Sequence, residues 1–539
     1  MSQAAALPDQ PAIASVKMQR FLAALTLVPI LETVYQTIVL TDVTADVIRK
    51  GIEGDSYQMI WTSLTWGVAT LYGVFLGLWG MPRYGQRLTL CAGLVFFVLG
   101  NLLCGAAVDI PTLAAAKVVE GLGKGATIVI ARSMLYRQFD EALIIAVGFY
   151  GVVAYATRPS TPLLTAYVNE LLSWRWIFWM NVPVGLIAIP MVLRYIRPDR
   201  PATPRRAPVD WVMVTIFSAW VSCMLFSFAW YRKWGGWSSN AFAITATLSI
   251  VLPFVLVGWV RSRKSSDEGP SRILRVRTYV LAMMARTLLL LNFSAVETIL
   301  GNYMINLRDY PREDAGWVLA PASLTMMLST LLTTYFHRRS LRPFWLLTAV
   351  VGTAGCVWWL SSIDSFTPRE HITRIHALWG LFLGLFPPVF LTDEVEGIDP
   401  KDAAYAGGLS IICLVTTLLI VPVATSTTIS AWSDRAFDSQ RLNISDNRPS
   451  VAEAQARIAD SYRGRGVSGP DAATLTGTVL GAFTKTESVA RGFQAGLRFL
   501  SLTMLALGLP LVLLRLVSPP SQQLIPDPWA RTSRDLPAN

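Results

Sequence analysis

Several ionisable side chains in this chain lie inside stretches that are otherwise apolar, at spacings that could carry chemistry. Lys117, Glu120 and Lys124 follow at i,i+3 and i,i+4 steps. On a helix they share one face, and the carboxylate can pair with either ammonium. Glu32 stands in a second such stretch with Tyr35, Gln36 and Val39 on its helical face, and Arg158 stands in a third. Arg286 and Glu297 occupy a fourth, about three helical turns apart. A charge near the centre of a bilayer is expensive, so such residues normally face a cavity or pair with one another. A carboxyl in a low-dielectric cavity can take up and release a proton near neutral pH. Glu32, Glu120 and Glu297 are therefore candidate proton-exchanging groups, with Glu32 the first choice. Tyr35, Gln36, Lys117, Lys124 and Arg158 are candidates for lining a cavity with them. The structural alternatives are a self-neutralised ladder that only holds its helix in place, and carboxyls that only balance buried cations.

These residues need spanning elements to position them. A helix needs roughly 20 apolar residues to cross the hydrocarbon core. Apolar windows of that size fall near 21–42, 57–80, 88–107, 111–133, 143–168, 175–196, 210–231, 240–260, 279–305, 315–336, 342–361, 375–392, 407–429 and 495–516. The reading is an all-α polytopic membrane protein with fourteen spans. Threading spans 1, 4 and 5 in alternating directions brings Glu32, Lys117, Glu120 and Arg158 to similar depths. Basic residues collect in alternate loops, at 194–206, 261–277 and 338–342, which is the positive-inside pattern for cytoplasmic termini. The polar first 20 residues lack an apolar signal core, so the first span is expected to direct insertion. Between spans 13 and 14 a long mixed-charge segment, 430–491, is expected to lie outside the membrane. Ser450-Val451-Ala452-Glu453 reads as a capping box opening a helix that Gly464 ends, and a second helical segment runs from Pro470 toward the last span.

Composition removes other classes. The chain of 539 residues is 53% hydrophobic and 15% charged, whereas a soluble domain carries about 25% charged residues. The net charge of +11 comes from the alternate loops and forms no basic face with interleaved aromatics, which argues against nucleic acid. All 5 cysteines lie in apolar stretches, where packing explains them. With 3 histidines in total there is no metal-spaced cluster, and no nucleotide-binding loop or nucleophile elbow is found, so no cofactor is expected. Most of the 19 tryptophans fit an interfacial belt; Trp61 and Trp66 are candidates for an aromatic cavity wall.

Five motifs carry a resemblance, in whole or in part. Trp174-Arg175-Trp176-Ile177-Phe178-Trp179-Met180-Asn181-Val182-Pro183-Val184-Gly185 resembles the start of the sixth helix in the fourteen-helix drug–proton antiporter branch of the major facilitator superfamily, the EmrB/QacA-type exporters. Lys117-Val118-Val119-Glu120-Gly121-Leu122-Gly123-Lys124-Gly125 is similar to that family's R-x-x-Q-G-x-G-x-G, and Gly121 and Gly125 would let a neighbouring helix approach closely. Arg83, Gly85 and Arg87 match the superfamily's cytoplasmic gating motif, whose aspartate is replaced here by Pro82. In span 5 only Pro162 remains of a glycine-rich motif, and in span 1 Thr37-Ile38-Val39 match while Tyr35 takes the aspartate position. The resemblance implies two six-helix bundles, 21–196 and 279–516, flanking a linker pair of helices within 197–278, with cytoplasmic tails 1–20 and 517–539.

It further implies a proton gradient as energy source and export of small amphipathic compounds by alternating access. It places the chain in an inner membrane and, for a Gram-negative host, implies a periplasmic adaptor that meets segment 430–491 and an outer-membrane channel beyond it. The rivals are a carrier for one substrate, such as a siderophore or secondary metabolite, and a non-transporting membrane sensor or enzyme.

Overall fold

A computed structural model describes residues 22–31, 33, 34, 36, 45, 47–138, 168, 171–196, 210–262, 273, 274, 276–336, 339–364, 366–394, 398, 402–445 and 449–517; within them every regular element is helical. Eleven of these helices are long and apolar enough to cross a membrane. A helix satisfies all its backbone groups internally, which is the requirement hydrocarbon imposes. The predicted span 4 is also a helix, Ile110–Gln138, although its buried charges make it less apolar than the others. Span 1 is described in part, as α1 (Leu22–Leu31). Nearly all of the predicted span 5 lies outside the described residues.

The first group comprises α2 (Ser56–Tyr84), α3 (Gln86–Ala106), α4 (Ile110–Gln138), the short α5 (Trp176–Trp179) and α6 (Asn181–Tyr195). Gly85 ends α2 with a φ of +83°, a conformation costly for any residue with a Cβ. At the other end of α3 the turn into α4 is fixed by Asp109, whose carboxylate accepts from the Thr112 amide at 2.8 Å and its hydroxyl at 2.6 Å. Those bonds hold the exposed Asp109 carboxyl below the usual carboxylate range. α4 is sandwiched between α2 and α3. The contact is backbone on backbone: a Cβ on Gly121 would lie 2.7 Å from the Trp66 carbonyl of α2, and one on Gly125 would lie 2.7 Å from the Val74 amide. Without a hydrophobic drive between helices in lipid, such close approach supplies much of the attraction.

The second group comprises α9 (Arg277–Asn302), α10 (Arg312–Tyr335), α11 (Arg342–Leu360), α12 (Arg369–Leu383), α13 (Phe386–Asp393), α14 (Ala403–Ser445), α15 (Pro449–Arg463) and α16 (Gly469–Val517). α9 packs on α14 and α16, α12 on α10 and α11, and α11 on α16. Between the groups stand α7 (Trp211–Ala229) and α8 (Asn240–Ser262), which pack on each other, while α7 also touches α2 and α14. α14 completes the assembly by touching α2 and α4 as well. Arg83, Arg87, Arg194, Arg261, Arg277, Arg342 and Arg515 all fall at helix ends on one side, termed here the basic face.

One expectation needs correcting. The segment after span 13 does not begin as a loop at 430. α14 continues through Trp432 to Ser445, because nothing from Ser430 to Ser445 is a glycine or proline that would break it. α16 likewise starts at Gly469, well before the expected last span. α15 begins at Pro449, so Ser450 lies inside the helix and is not its N-cap. It ends at Arg463, directly before Gly464 as expected, and the left-handed residue of the following turn is Gly466, with φ +84°.

The glycine contacts make a stability prediction. Gly125→Val drives a branched side chain into the α2 backbone and should cost roughly 1–3 kcal/mol, read as a lower Tm in detergent. Gly355→Ala, where an added Cβ meets nothing within 4 Å, should leave Tm unchanged. Equal effects of the two would contradict the packing described.

Candidate functional site

On α4, Lys117 Nζ lies 2.7 Å from Glu120 Oε2 and Lys124 Nζ 3.7 Å from Glu120 Oε1, with all three side chains at most 1% exposed. A buried pair keeps its charges only with good geometry and further partners. Aromatic rings provide some of these: Lys117 sits 4.7 Å from the Phe178 ring centroid and Lys124 4.7 Å from that of Trp66. Of the proposed aromatic wall, then, Trp66 joins the charged ladder. Trp61 does not; it packs edge-on against Phe226 at 4.9 Å and near Trp230 at 6.2 Å, on the α7 side. Gln36 is half-buried. Glu32, Tyr35, Arg158 and Pro162 lie outside the described residues, so the four-residue cluster expected around Glu32 is described only in its α4 part.

Toward the basic face α4 carries a second cation, and this one crosses to the other bundle. Arg132 Nη2 lies 2.7 Å from Glu394 Oε2, just past the end of α13. Arg286 of α9 approaches the other oxygen, Nη1 to Oε1 at 2.9 Å. Ser410 of α14 donates to Glu394 and accepts from Arg132 at 2.9 Å and from Arg286. All four residues are buried. Next in sequence, Asp393 binds Arg342 of α11 at 2.9 Å and Arg515 of α16 at 2.8 Å, both within the second bundle. Adjacent carboxylates thus do different work: Asp393 ties together elements of one bundle, and Glu394 ties that bundle to the other.

The matched gating residues stay within the first bundle. Arg83 donates to the Trp79 carbonyl at 3.0 Å and stacks on its ring, and Arg87 donates to the Leu193 carbonyl. Among the described residues neither makes a hydrogen bond or ion pair to the second bundle. Pro82 stands where the family motif has a carboxylate, and among the described residues the Arg132–Glu394 pair is a charged contact between the bundles.

Glu297, on the opposite half of α9, lies 3.4 Å from His376 Nε2. This is not the Ser, Thr or Lys neighbour that a purely packed carboxyl would suggest. His376 is fully buried and stacks on Trp379 at 4.9 Å, which stacks in turn on Phe293 at 6.0 Å. Trp379 Nε1 is fixed by Asn292 Oδ1 at 3.1 Å.

The tryptophan-rich string is a structural clasp. Trp174 and Phe178 are buried and Trp176 is exposed; Arg175 stacks on Trp174 and donates to the Ala107 carbonyl at 3.3 Å. Asn181 Nδ2 donates to Asn101 Oδ1 at 3.1 Å, Gly185 lies against Val98, and Pro183 faces outward. Together they bind the start of α6 to the end of α3.

Sequence reasoning did not single out Arg132, Glu394, Asp393, Ser410 or His376. Arg132 and the Asp393–Glu394 pair sit at span ends, where a charge looks like an interfacial anchor until its partner is known. The available signal was an acidic dipeptide at the end of an apolar run, opening an acidic segment on the side where other loops are basic.

Comparison with known proteins agrees with this architecture. The family model for the Major Facilitator Superfamily matches residues 18–422. Multidrug resistance protein 3 of Bacillus subtilis (strain 168) is 23% identical over 351 residues, 65% of this chain and 68% of that protein. Multidrug export protein EmrB of Escherichia coli (strain K12) is 21% identical over 422 residues, 76% of this chain and 80% of EmrB. In fold, the proton:xylose symporter XylE superposes with a TM-score of 0.54 at 11% identity, covering 91% of this chain and 96% of XylE. A family match over most of the length, joined to the spanning helices and the two packed groups, places this multi-pass membrane protein in the Major Facilitator Superfamily.

Proposed function

We propose that this chain is a proton-driven exporter of small amphipathic compounds, working by alternating access between its two bundles, and that it is a carrier and not an enzyme. The observation that carries the reading is the Arg132–Glu394 pair, a buried ionic contact between the bundles at the basic face. With Leu78 of α2 against Gly408 of α14, it closes that face. Opening requires Arg132 to leave Glu394, while Arg286 and Ser410, on the same bundle as Glu394, keep its carboxylate paired. The closure is therefore reversible without stranding a buried anion, whose loss of all partners would cost ~3–5 kcal/mol.

For the proton, Glu297 is the best-placed carboxyl among the described residues, because it lies 3.4 Å from the buried His376 imidazole instead of between two lysines. Protonating Glu120 would instead leave two ammonium groups facing each other. Glu32 keeps its place from the sequence. The drug-export names of the relatives support amphipathic substrates, and the basic face supports an inner-membrane orientation with both termini cytoplasmic.

A periplasmic adaptor is the partner we propose for the 430–491 hairpin. α14 runs 16 residues past its expected end at 429, about 24 Å. On α16, Leu475, Val479 and Phe483 form an exposed i,i+4,i+8 apolar stripe.

The first experiment is compound accumulation in a pump-deficient bacterium expressing the full chain, across a panel of amphiphiles. Lower accumulation that disappears with an uncoupler, and at least tenfold weaker protection in Glu297→Gln, is the expected result. No protection by a normally expressed chain would point to the single-substrate carrier, and uncoupler-insensitive protection would rule out proton drive. The closure makes a separate prediction. Arg132→Gln should raise maleimide labelling of Leu78→Cys, in a background without the native cysteines, several-fold. Arg342→Gln, which breaks the contact to Asp393 within one bundle, should not; unchanged labelling in Arg132→Gln would remove the pair from the gate.

A further inference from the structure

A hollow of about 720 Å³ opens between α7, α8 and the outer part of α14. α2 and α4 contribute nothing to its walls, so it lies beside the bundle interface and not in it. Its floor is set by two hydrogen bonds, Trp220 Nε1 to the Ser249 carbonyl at 2.9 Å and Thr427 Oγ1 to the Phe228 carbonyl at 3.0 Å. Along α8 the lining runs from Phe242 to Phe254, about 18 Å of helix, close to the ~15 Å depth of one leaflet's hydrocarbon.

The wall offers little to a polar guest. Ser227, Ser249, Thr427 and Thr428 line it, and each hydroxyl already donates to a main-chain carbonyl. What remains is aliphatic and aromatic surface, including an edge-to-face run from Tyr231 through Phe242 to Trp237. At the rim away from the basic face stands Arg435, exposed and the one charged residue among the described lining residues. Trp432 and Trp237 lie at the same end, the depth at which aromatic rings meet headgroups. An apolar slot of leaflet depth with a guanidinium at its mouth fits a phospholipid, with an acyl chain in the slot and the glycerol-linked phosphate at the mouth.

We propose that this hollow is a binding site for an anionic phospholipid of the leaflet away from the basic face, with an acyl chain between α7 and α8 and the headgroup phosphate on Arg435. The lipid fills the wedge that the linker pair leaves against α14 and seals it toward the bilayer.

The test is native mass spectrometry of the full chain in mild detergent, titrated separately with phosphatidylglycerol and with phosphatidylcholine of the same acyl chains. Wild type should retain phosphatidylglycerol about tenfold more strongly, a preference of ~1.4 kcal/mol. Arg435→Glu should abolish the preference, and Ile250→Trp, which fills the slot from an exposed position, should weaken retention of both lipids. Lys485→Glu, exposed and outside the hollow, should behave as wild type. Equal retention of the two lipids by wild type, or a preference that survives Arg435→Glu, would overturn the proposal. So would unchanged lipid retention in Ile250→Trp accompanied by loss of export, which would make the hollow a passage for a transported amphiphile. Because lipid retention is read without transport, failure of the export reading leaves this result separately interpretable.

Discussion

The Glu394 carboxylate, shared between a guanidinium from each bundle, is the interaction on which the arrangement at the basic face depends. Two arginines and a serine converge on two oxygens in a water-excluded place. Charges there are tolerable only while paired, so the position of the bundles and the pairing of the charge are one condition. The asymmetry is useful. Arg286 and Ser410 belong to the same bundle as Glu394, and Arg132 alone comes from the other. A change in bundle angle therefore alters the contacts of Arg132, to Glu394 and to Ser410, and leaves the Arg286 and Ser410 contacts of Glu394 intact.

α4 links this closure to the middle of the membrane. It carries the Lys117–Glu120–Lys124 ladder and, about two turns past Lys124, Arg132. Its glycines lock it to α2 and α3 so closely that it cannot slide independently of them. The ladder and the arm that reaches Glu394 sit on one helix. The π-stacked His376–Trp379–Phe293 column gives the second bundle an equally rigid setting for Glu297.

Much of this was legible in the residues because hydrocarbon imposes length and polarity on a span. Thirteen of the fourteen expected spans have a described helical counterpart, at least in part, and α4 was recognised despite its charges because its window is still apolar. The ladder pairing could be read directly, since i,i+3 and i,i+4 neighbours meet in any helix. The extent of the 430–491 hairpin could not: hydropathy reports where apolar residues stop, not where a helix does.

The sequence by itself determined the class of molecule, the spanning elements, the intrahelical ion pairs and which face is basic. These follow from local rules of hydropathy and helical period. Only the tertiary structure decided that Arg132 meets Glu394, that Glu297 meets His376, and that Trp61 turns toward α7 while Trp66 turns toward Lys124. Each of those pairings joins residues far apart in the chain. A buried charge announces that it needs a partner, but packing chooses which one it gets.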